Sequence, residues 1–165
     1  MAQATLGESE ARAVLLGVSF GIVLPIFLHN GYKVWRGSYT NFDVSNQQQR
    51  RAFYPFVLGL FGVLLVLFFV LGLSPKVLVN TSLFTAMLVV FAGVNVRLKA
   101  SLHMGACCYF ACGIASVYPI LGLGLYSAGI GVAWSRLALG LHSRAEVQVG
   151  MLVGTVFGLL SLALV

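Results

Sequence analysis

The stretch that decides the fold is Ala52–Leu73, AFYPFVLGLFGVLLVLFFVLGL, which contains no charged side chain. A helix needs about 20 consecutive apolar residues to cross the roughly 30 Å hydrocarbon core of a bilayer, so this stretch predicts a membrane-spanning helix. The rest of the 165-residue chain is similar, because 59% of all residues are hydrophobic and only 8% are charged. A soluble domain has about 25% charged residues. The composition therefore excludes an ordinary soluble globule and indicates an integral membrane protein.

Turn signals divide the chain into six apolar segments. We expect these segments to form an all-α fold, a six-transmembrane-helix bundle, and to make up one membrane domain covering residues 1–165. Pro119 separates two of the segments, because proline fits the first turn of a new helix and breaks the preceding one. Ser74-Pro75-Lys76 is read as a tight turn, and the polar segment 29–51 is the longest predicted loop. A kink at Pro25 is expected near the end of the first span. The predicted spans are residues 13–28, 52–73, 77–96, 101–117, 119–141 and 145–165.

The net charge of +6 does not indicate nucleic acid, because the basic residues are scattered among apolar helices. Anionic membrane lipid is the expected partner. Three cysteines (Cys107, Cys108 and Cys112) share one apolar stretch without zinc-ligand spacing, and we interpret them as packing residues. No metal or other cofactor is expected.

With six spans, the connections after the odd-numbered spans lie on one membrane face. All three histidines and eight of the ten basic residues lie in or beside these connections, 29–51, 97–101 and 141–146. An apolar bundle with its polar side chains gathered at one end predicts a functional site there. By the positive-inside rule this end is expected to face the cytoplasm.

The last of these connections pairs a histidine with an acid. If a helix begins near His142, then His142 and Glu146 share one helix face. A carboxylate at Glu146 would accept the Nδ1 proton and leave Nε2 with a nucleophilic lone pair. Arg136 precedes this histidine by six residues inside an apolar segment, and an intramembrane arginine is expected to face a partner or a wet cavity.

The other two connections supply cations at predicted helix starts. Lys99, Ser101 and His103 lie within five residues of one another, and a helix N-terminus favours phosphate. Arg50 lies where the first connection meets the second span. Two imidazoles, one of them beside an acid, among several cations suit phosphate-ester chemistry.

The pattern Ser135-Arg136-x5-His142-x3-Glu146 resembles the third signature of the type 2 phosphatidic acid phosphatase family. That family comprises integral-membrane lipid phosphatases related to vanadium haloperoxidases, and its Asp is Glu146 here. Lys99-x-Ser101-x-His103 is similar to the second signature of a divergent bacterial branch. Asp43-x6-Arg50-Arg51 keeps only the arginine of the first signature, because Asp43 replaces the family's lysine.

The resemblance implies a metal-independent hydrolase in a bacterial inner (plasma) membrane, acting on a lipid phosphomonoester or isoprenyl diphosphate. It implies that His142 forms a phosphohistidine, that Glu146 orients it, and that His103 is the general acid. The implied phosphate-binding residues are Arg50, Lys99, Ser101 and Arg136. Many bacterial members of the family face the periplasm, in conflict with the charge argument. The alternative is a catalytically degraded member that serves as a lipid-binding or structural subunit of a membrane complex.

A stripe of small residues marks the last predicted span. Gly150, Gly154 and Gly158 are four residues apart, and such a stripe lets another helix pack closely. We expect this face to form a homo-oligomer or to bind other subunits of a complex.

Overall fold

A computed structural model describes residues 6–164, and within them the chain is helical with short connections. The six helices are α1 (Glu8–Trp35), α2 (Gln47–Val70), α3 (Pro75–Val94), α4 (Leu102–Ala115), α5 (Pro119–Ala138) and α6 (Arg144–Leu164). The predicted all-α class is confirmed. Five of the helices, all except α4, are long and apolar enough to cross a membrane.

Helix α4 is shorter than the predicted span at 101–117. It has 14 residues, which at 1.5 Å per residue give a length of about 21 Å. That length falls short of the roughly 30 Å hydrocarbon core. Ser101 caps its start, and a turn before Pro119 ends it.

Helix α1 is longer than the predicted span at 13–28, and the expected end at Leu28 is wrong. The helix runs for 28 residues to Trp35 and contains a π-helical turn at Ser19–Val23, which ends two residues before Pro25. Proline has no N–H to donate and its ring clashes with the carbonyl four residues earlier. The wider π turn changes the hydrogen-bond register at this point, which lets the helix continue. The predicted 29–51 loop is thereby reduced to residues 36–46.

The described residues form two compact units that divide between Thr85 and Ala86, inside α3. In the first unit, α1 packs on α2 at Gly17, where an added Cβ would lie 2.7 Å from Phe68 Cε1. In the second unit, α4 packs against both α5 and α6. Cys108 of α4 is completely buried there, and all three cysteines are free thiols.

The glycine stripe of α6 forms the contact with α4. A Cβ added at Gly154 would overlap the backbone of Gly105, and one added at Gly158 would lie 2.7 Å from Cys112 Cβ. The close helix packing predicted from the stripe is present, but its partner belongs to the same chain. The expectation of an oligomer or complex through Gly150, Gly154 and Gly158 therefore needs correction, because α4 already covers this face.

Candidate functional site

The connection between α5 and α6 is a tight turn that brings His142 to the start of α6. Gly140 has a φ of 64°, a left-handed conformation that glycine adopts without steric cost. The carbonyl of Arg136 then accepts the N–H groups of Leu141 at 3.0 Å and His142 at 3.1 Å. Arg136 thus positions His142 through its backbone.

His142 and Glu146 form the hydrogen bond that the sequence predicts. Nδ1 of His142 lies 3.1 Å from Oε2 of Glu146, and the histidine side chain is only 1% exposed. An ionised carboxylate can only accept a hydrogen bond, so Nδ1 carries a proton, and in the neutral ring Nε2 then has the lone pair. The geometric reason differs from the prediction. Helix α6 begins at Arg144, so His142 precedes the helix and the Glu146 side chain reaches back to it.

Ser143 belongs to the same arrangement and is absent from the predicted site. Its N–H donates to Glu146 Oε2 at 3.0 Å, and its Oγ accepts the N–H of Glu146 at 3.3 Å. These reciprocal bonds form a capping box, whose sequence signature is Ser-x-x-Glu before an apolar run. That signature, Ser143-Arg-Ala-Glu146, is visible in the sequence and could have identified Ser143.

The connection between α3 and α4 is hydrogen-bonded directly to this turn. Lys99 Nζ donates to the carbonyl of Leu141 at 2.7 Å, and the N–H of Ser101 donates to the carbonyl of Glu146 at 2.9 Å. A cation at carbonyls that follow a helix C-terminus is electrostatically favourable. The structure therefore brings Lys99, Ser101, His142 and Glu146 together at one end of the second unit.

Ser101 and His103 occupy different environments at the start of α4. Ser101 is completely buried, and its Oγ caps the helix by accepting the N–H of Met104 at 3.4 Å. His103 lies in the first turn of the same helix and is exposed. The predicted general acid is thus accessible, whereas the hydroxyl predicted to bind phosphate holds the local backbone.

Arg50, the remaining predicted phosphate ligand, belongs to the first unit. It is 4% exposed, and its Nε donates to the carbonyl of Val44 at 3.1 Å. Val44 has a φ of 49°, and Asn46 caps α2 by accepting the N–H of Gln48 at 2.9 Å. Arg50 thereby secures the connection that leads into its own helix.

Other side chains of the first unit complete this connection. Asn41 Oδ1 accepts the N–H of Ser45 at 3.0 Å, and Gln49 Oε1 accepts the N–H of Thr40 at 3.1 Å. Burial raises the pKa of the Tyr39 hydroxyl above its ordinary value, and this hydroxyl lies 3.4 Å from Nε2 of His29. The His29 ring also stacks on Phe56, with ring centroids 4.0 Å apart. His29 is therefore part of the packing around residues 36–46.

Within residues 6–164, no group of three or more His, Cys, Asp or Glu side chains is arranged to hold a metal ion. No family model, curated protein or solved structure matches the chain.

Proposed function

We propose that the protein is a membrane-embedded lipid phosphatase that hydrolyses a lipid phosphomonoester or an isoprenyl diphosphate. The observation that carries the proposal is the hydrogen bond from His142 Nδ1–H to Glu146 Oε2. It sets the tautomer in which Nε2 is nucleophilic. The resemblance of Ser135-Arg136-x5-His142-x3-Glu146 to the lipid phosphatase signature adds support.

The proposed reaction has two steps. In the first, Nε2 of His142 attacks phosphorus, the bond to the lipid oxygen breaks, and His103 protonates that oxygen. In the second, His103 accepts a proton from water, the resulting hydroxide attacks the phosphohistidine, and the P–N bond breaks to release inorganic phosphate. General acid–base catalysis of this kind contributes about 10²–10⁴ to a rate. Lys99, Ser101 and Arg136, all in the second unit, are the proposed phosphate-binding residues.

The burial of His142 sets a requirement on this reaction. Because its side chain is 1% exposed, a phosphate can reach the ring only after the side chains that cover it move aside. Local opening is then a step of the catalytic cycle, as it is in enzymes whose loops close over substrate.

Three observations favour a second candidate, a lipid-binding or structural subunit without catalysis. Lys99 Nζ is bonded to the Leu141 carbonyl, and Ser101 Oγ is buried as a helix cap. Arg50 Nε is bonded to the Val44 carbonyl. Each of these residues, which the sequence predicts to bind phosphate, is bonded to the chain's own backbone.

Phosphate release separates the two candidates. Purified protein in detergent is incubated with phosphatidic acid, lysophosphatidic acid and isoprenyl mono- and diphosphates. A phosphatase releases phosphate from at least one of them, is inhibited by vanadate as a mimic of pentacoordinate phosphorus, and is unaffected by EDTA. Failure to release phosphate, combined with saturable binding to vesicles that contain the same lipids, supports the non-catalytic subunit.

The proposal places the protein in a bacterial inner membrane with the site end facing the cytoplasm. Eight basic residues lie in or beside the connections 29–51, 97–101 and 141–146, and five remain when Arg50, Lys99 and Arg136 are set aside as predicted phosphate ligands. Only Arg12 and Lys76 lie elsewhere, so the positive-inside rule favours a cytoplasmic position for these connections. Ser38 is exposed in the 36–46 connection. A Ser38→Cys variant therefore reports the side of the membrane on which this connection lies. We expect no labelling of intact cells by a membrane-impermeant maleimide and full labelling after lysis. The parent protein gives the background labelling from the three native cysteines. Labelling of intact cells above that background would show that the connection faces the outside of the cell.

A further inference from the structure

We propose that Ser143 is a positioning residue for His142, and that this role accounts for glutamate rather than aspartate at position 146. The catalytic consequence rests on the proposed phosphatase function. The positioning itself rests on three hydrogen bonds and can be tested without turnover.

A single oxygen joins the three residues. Glu146 Oε2 accepts both the Nδ1–H of His142 at 3.1 Å and the backbone N–H of Ser143 at 3.0 Å. The Oγ of Ser143 accepts the N–H of Glu146 at 3.3 Å. The serine thus holds the glutamate by its backbone and its carboxylate together, which sets the position of the acceptor that His142 uses.

The neighbouring hydrogen bonds fix the backbone of the turn, and the capping box sets the position of the Glu146 carboxylate. The carbonyl of Glu146 is bonded to the N–H of Ser101, and the carbonyl of Leu141 is bonded to Lys99. These bonds anchor the backbone on both sides of the turn. The direction of the Glu146 side chain then depends on the bond that its Oε2 accepts from the Ser143 N–H. The Ser143 Oγ sets the position of that N–H relative to the helix start through its own bond to the Glu146 N–H.

Side-chain length then explains the identity of the acid. Glu146 is the third residue of α6, and the capping box uses Glu or Gln at that position because the side chain must reach back over the helix start. Aspartate is shorter by one methylene, about 1.5 Å. It would draw the carboxylate away from both Ser143 and His142.

The test is the tautomer of His142 in protein labelled with ¹⁵N-histidine and studied by NMR in membranes. We expect the wild-type ring to carry its proton on Nδ1. Ser143→Ala and Glu146→Asp should each increase the Nε2–H tautomer measurably, and Ser143→Thr should restore the wild-type spectrum. Ser116→Ala is the matched control, because it also removes a bonded hydroxyl, which donates to the Gly113 carbonyl at 2.7 Å. Its His142 signals should be unchanged.

Turnover on a phosphorylated lipid provides the second readout. Because only the ring with its proton on Nδ1 has a nucleophilic Nε2, kcat of Ser143→Ala should fall in proportion to the loss of that tautomer, with a smaller change in KM. If Ser143→Ala does not fold, Ser143→Gly replaces it, because glycine is tolerated at a helix N-cap and also lacks the hydroxyl.

The outcomes are distinct. An unchanged His142 tautomer in Ser143→Ala, or no rescue by Ser143→Thr, overturns the positioning role. A shifted tautomer in a protein whose wild type releases no phosphate supports the positioning role and counts against the phosphatase function.

Discussion

The 36–46 connection of the first unit and the 139–143 connection of the second are both short, yet they obtain their hydrogen bonds differently. The first is completed by neighbours in sequence, such as Arg50 bonded to Val44 and Asn46 bonded to Gln48. The second is also bonded to a distant connection through Lys99. A connection that is bonded to its own residues and to the two helices that flank it is a structural element, whereas two connections that meet can collect reactive side chains from separate parts of the chain.

This difference separates the predicted site residues into two kinds. Arg50 has a clear local role in the first unit. His142 and Glu146, in the second unit, form the histidine–carboxylate pair on which the proposed chemistry depends. The comparison predicts that changes in the second unit affect chemistry, and that changes around residues 36–46 affect local stability.

The largest expected effect is loss of turnover on replacing the proposed nucleophile. His142→Ala should reduce phosphate release to background, because it removes the proposed nucleophile and His103, the other histidine of the proposed site, is assigned to protonating the leaving oxygen. The control is His29→Phe in the first unit, which keeps a ring stacked on Phe56 and should retain activity. Normal activity in His142→Ala together with loss in His29→Phe would move the site to the first unit.

A smaller but substantial effect is expected at the α4–α6 contact. Gly154→Ala places a Cβ against the Gly105 backbone, and overpacking costs about 1–3 kcal/mol. Gly131→Ala is the matched control, because nothing lies within 4 Å of a Cβ added there and alanine favours a helix by about 1 kcal/mol. Thermal unfolding in detergent should give a higher Tm for Gly131→Ala than for Gly154→Ala. Equal Tm values would mean that α4 and α6 do not pack this closely.

The Arg50→Lys variant tests the local role in the first unit. Lysine keeps the charge but lacks the Nε–H donor to the Val44 carbonyl, and leaving that buried acceptor unsatisfied costs about 1–3 kcal/mol. Hydrogen exchange of residues 36–46 should accelerate, with Arg51→Lys as the exposed control. Unchanged exchange with a raised KM would instead identify Arg50 as a phosphate ligand and remove the contrast between the two connections.

The smallest expected effect is at the cap of α2. Asn46→Ala removes the acceptor for the N–H groups of Gln48 and Gln49, which should lower the free energy of unfolding by about 1 kcal/mol. Asn46→Asp keeps a good cap and should remain near wild type. Chemical denaturation in mixed micelles measures both, and a turnover defect in Asn46→Ala at full stability would show that this connection also supports the chemistry.

Local rules explain which features were predictable. Uncharged runs such as Ala52–Leu73 predicted apolar helices, and the prolines at 75 and 119 marked two helix starts within two residues. The His142–Glu146 bond was predictable because both residues lie within about one helical turn. The role of Ser143 is equally local, because the Ser-x-x-Glu capping-box signature lies within residues 143–146.

Other features depended on longer distances or on competing local preferences. Helix α1 continues through Pro25 because a π turn changes its hydrogen-bond register, which residue patterns alone do not reveal. The glycine stripe predicted close packing, but only the folded chain shows that its partner is α4.

The sequence by itself determined the all-helical class, the apolar segments and the residue types available for chemistry, because burial preference and helix capping act over one or two turns. Tertiary structure decided that Lys99 meets a carbonyl 42 residues away and that Ser101 joins Glu146. It also decided that the glycines of α6 pack against α4 of the same chain. These pairings depend on which helices approach closely, and that is set by the packing of whole helix faces, which no local pattern encodes.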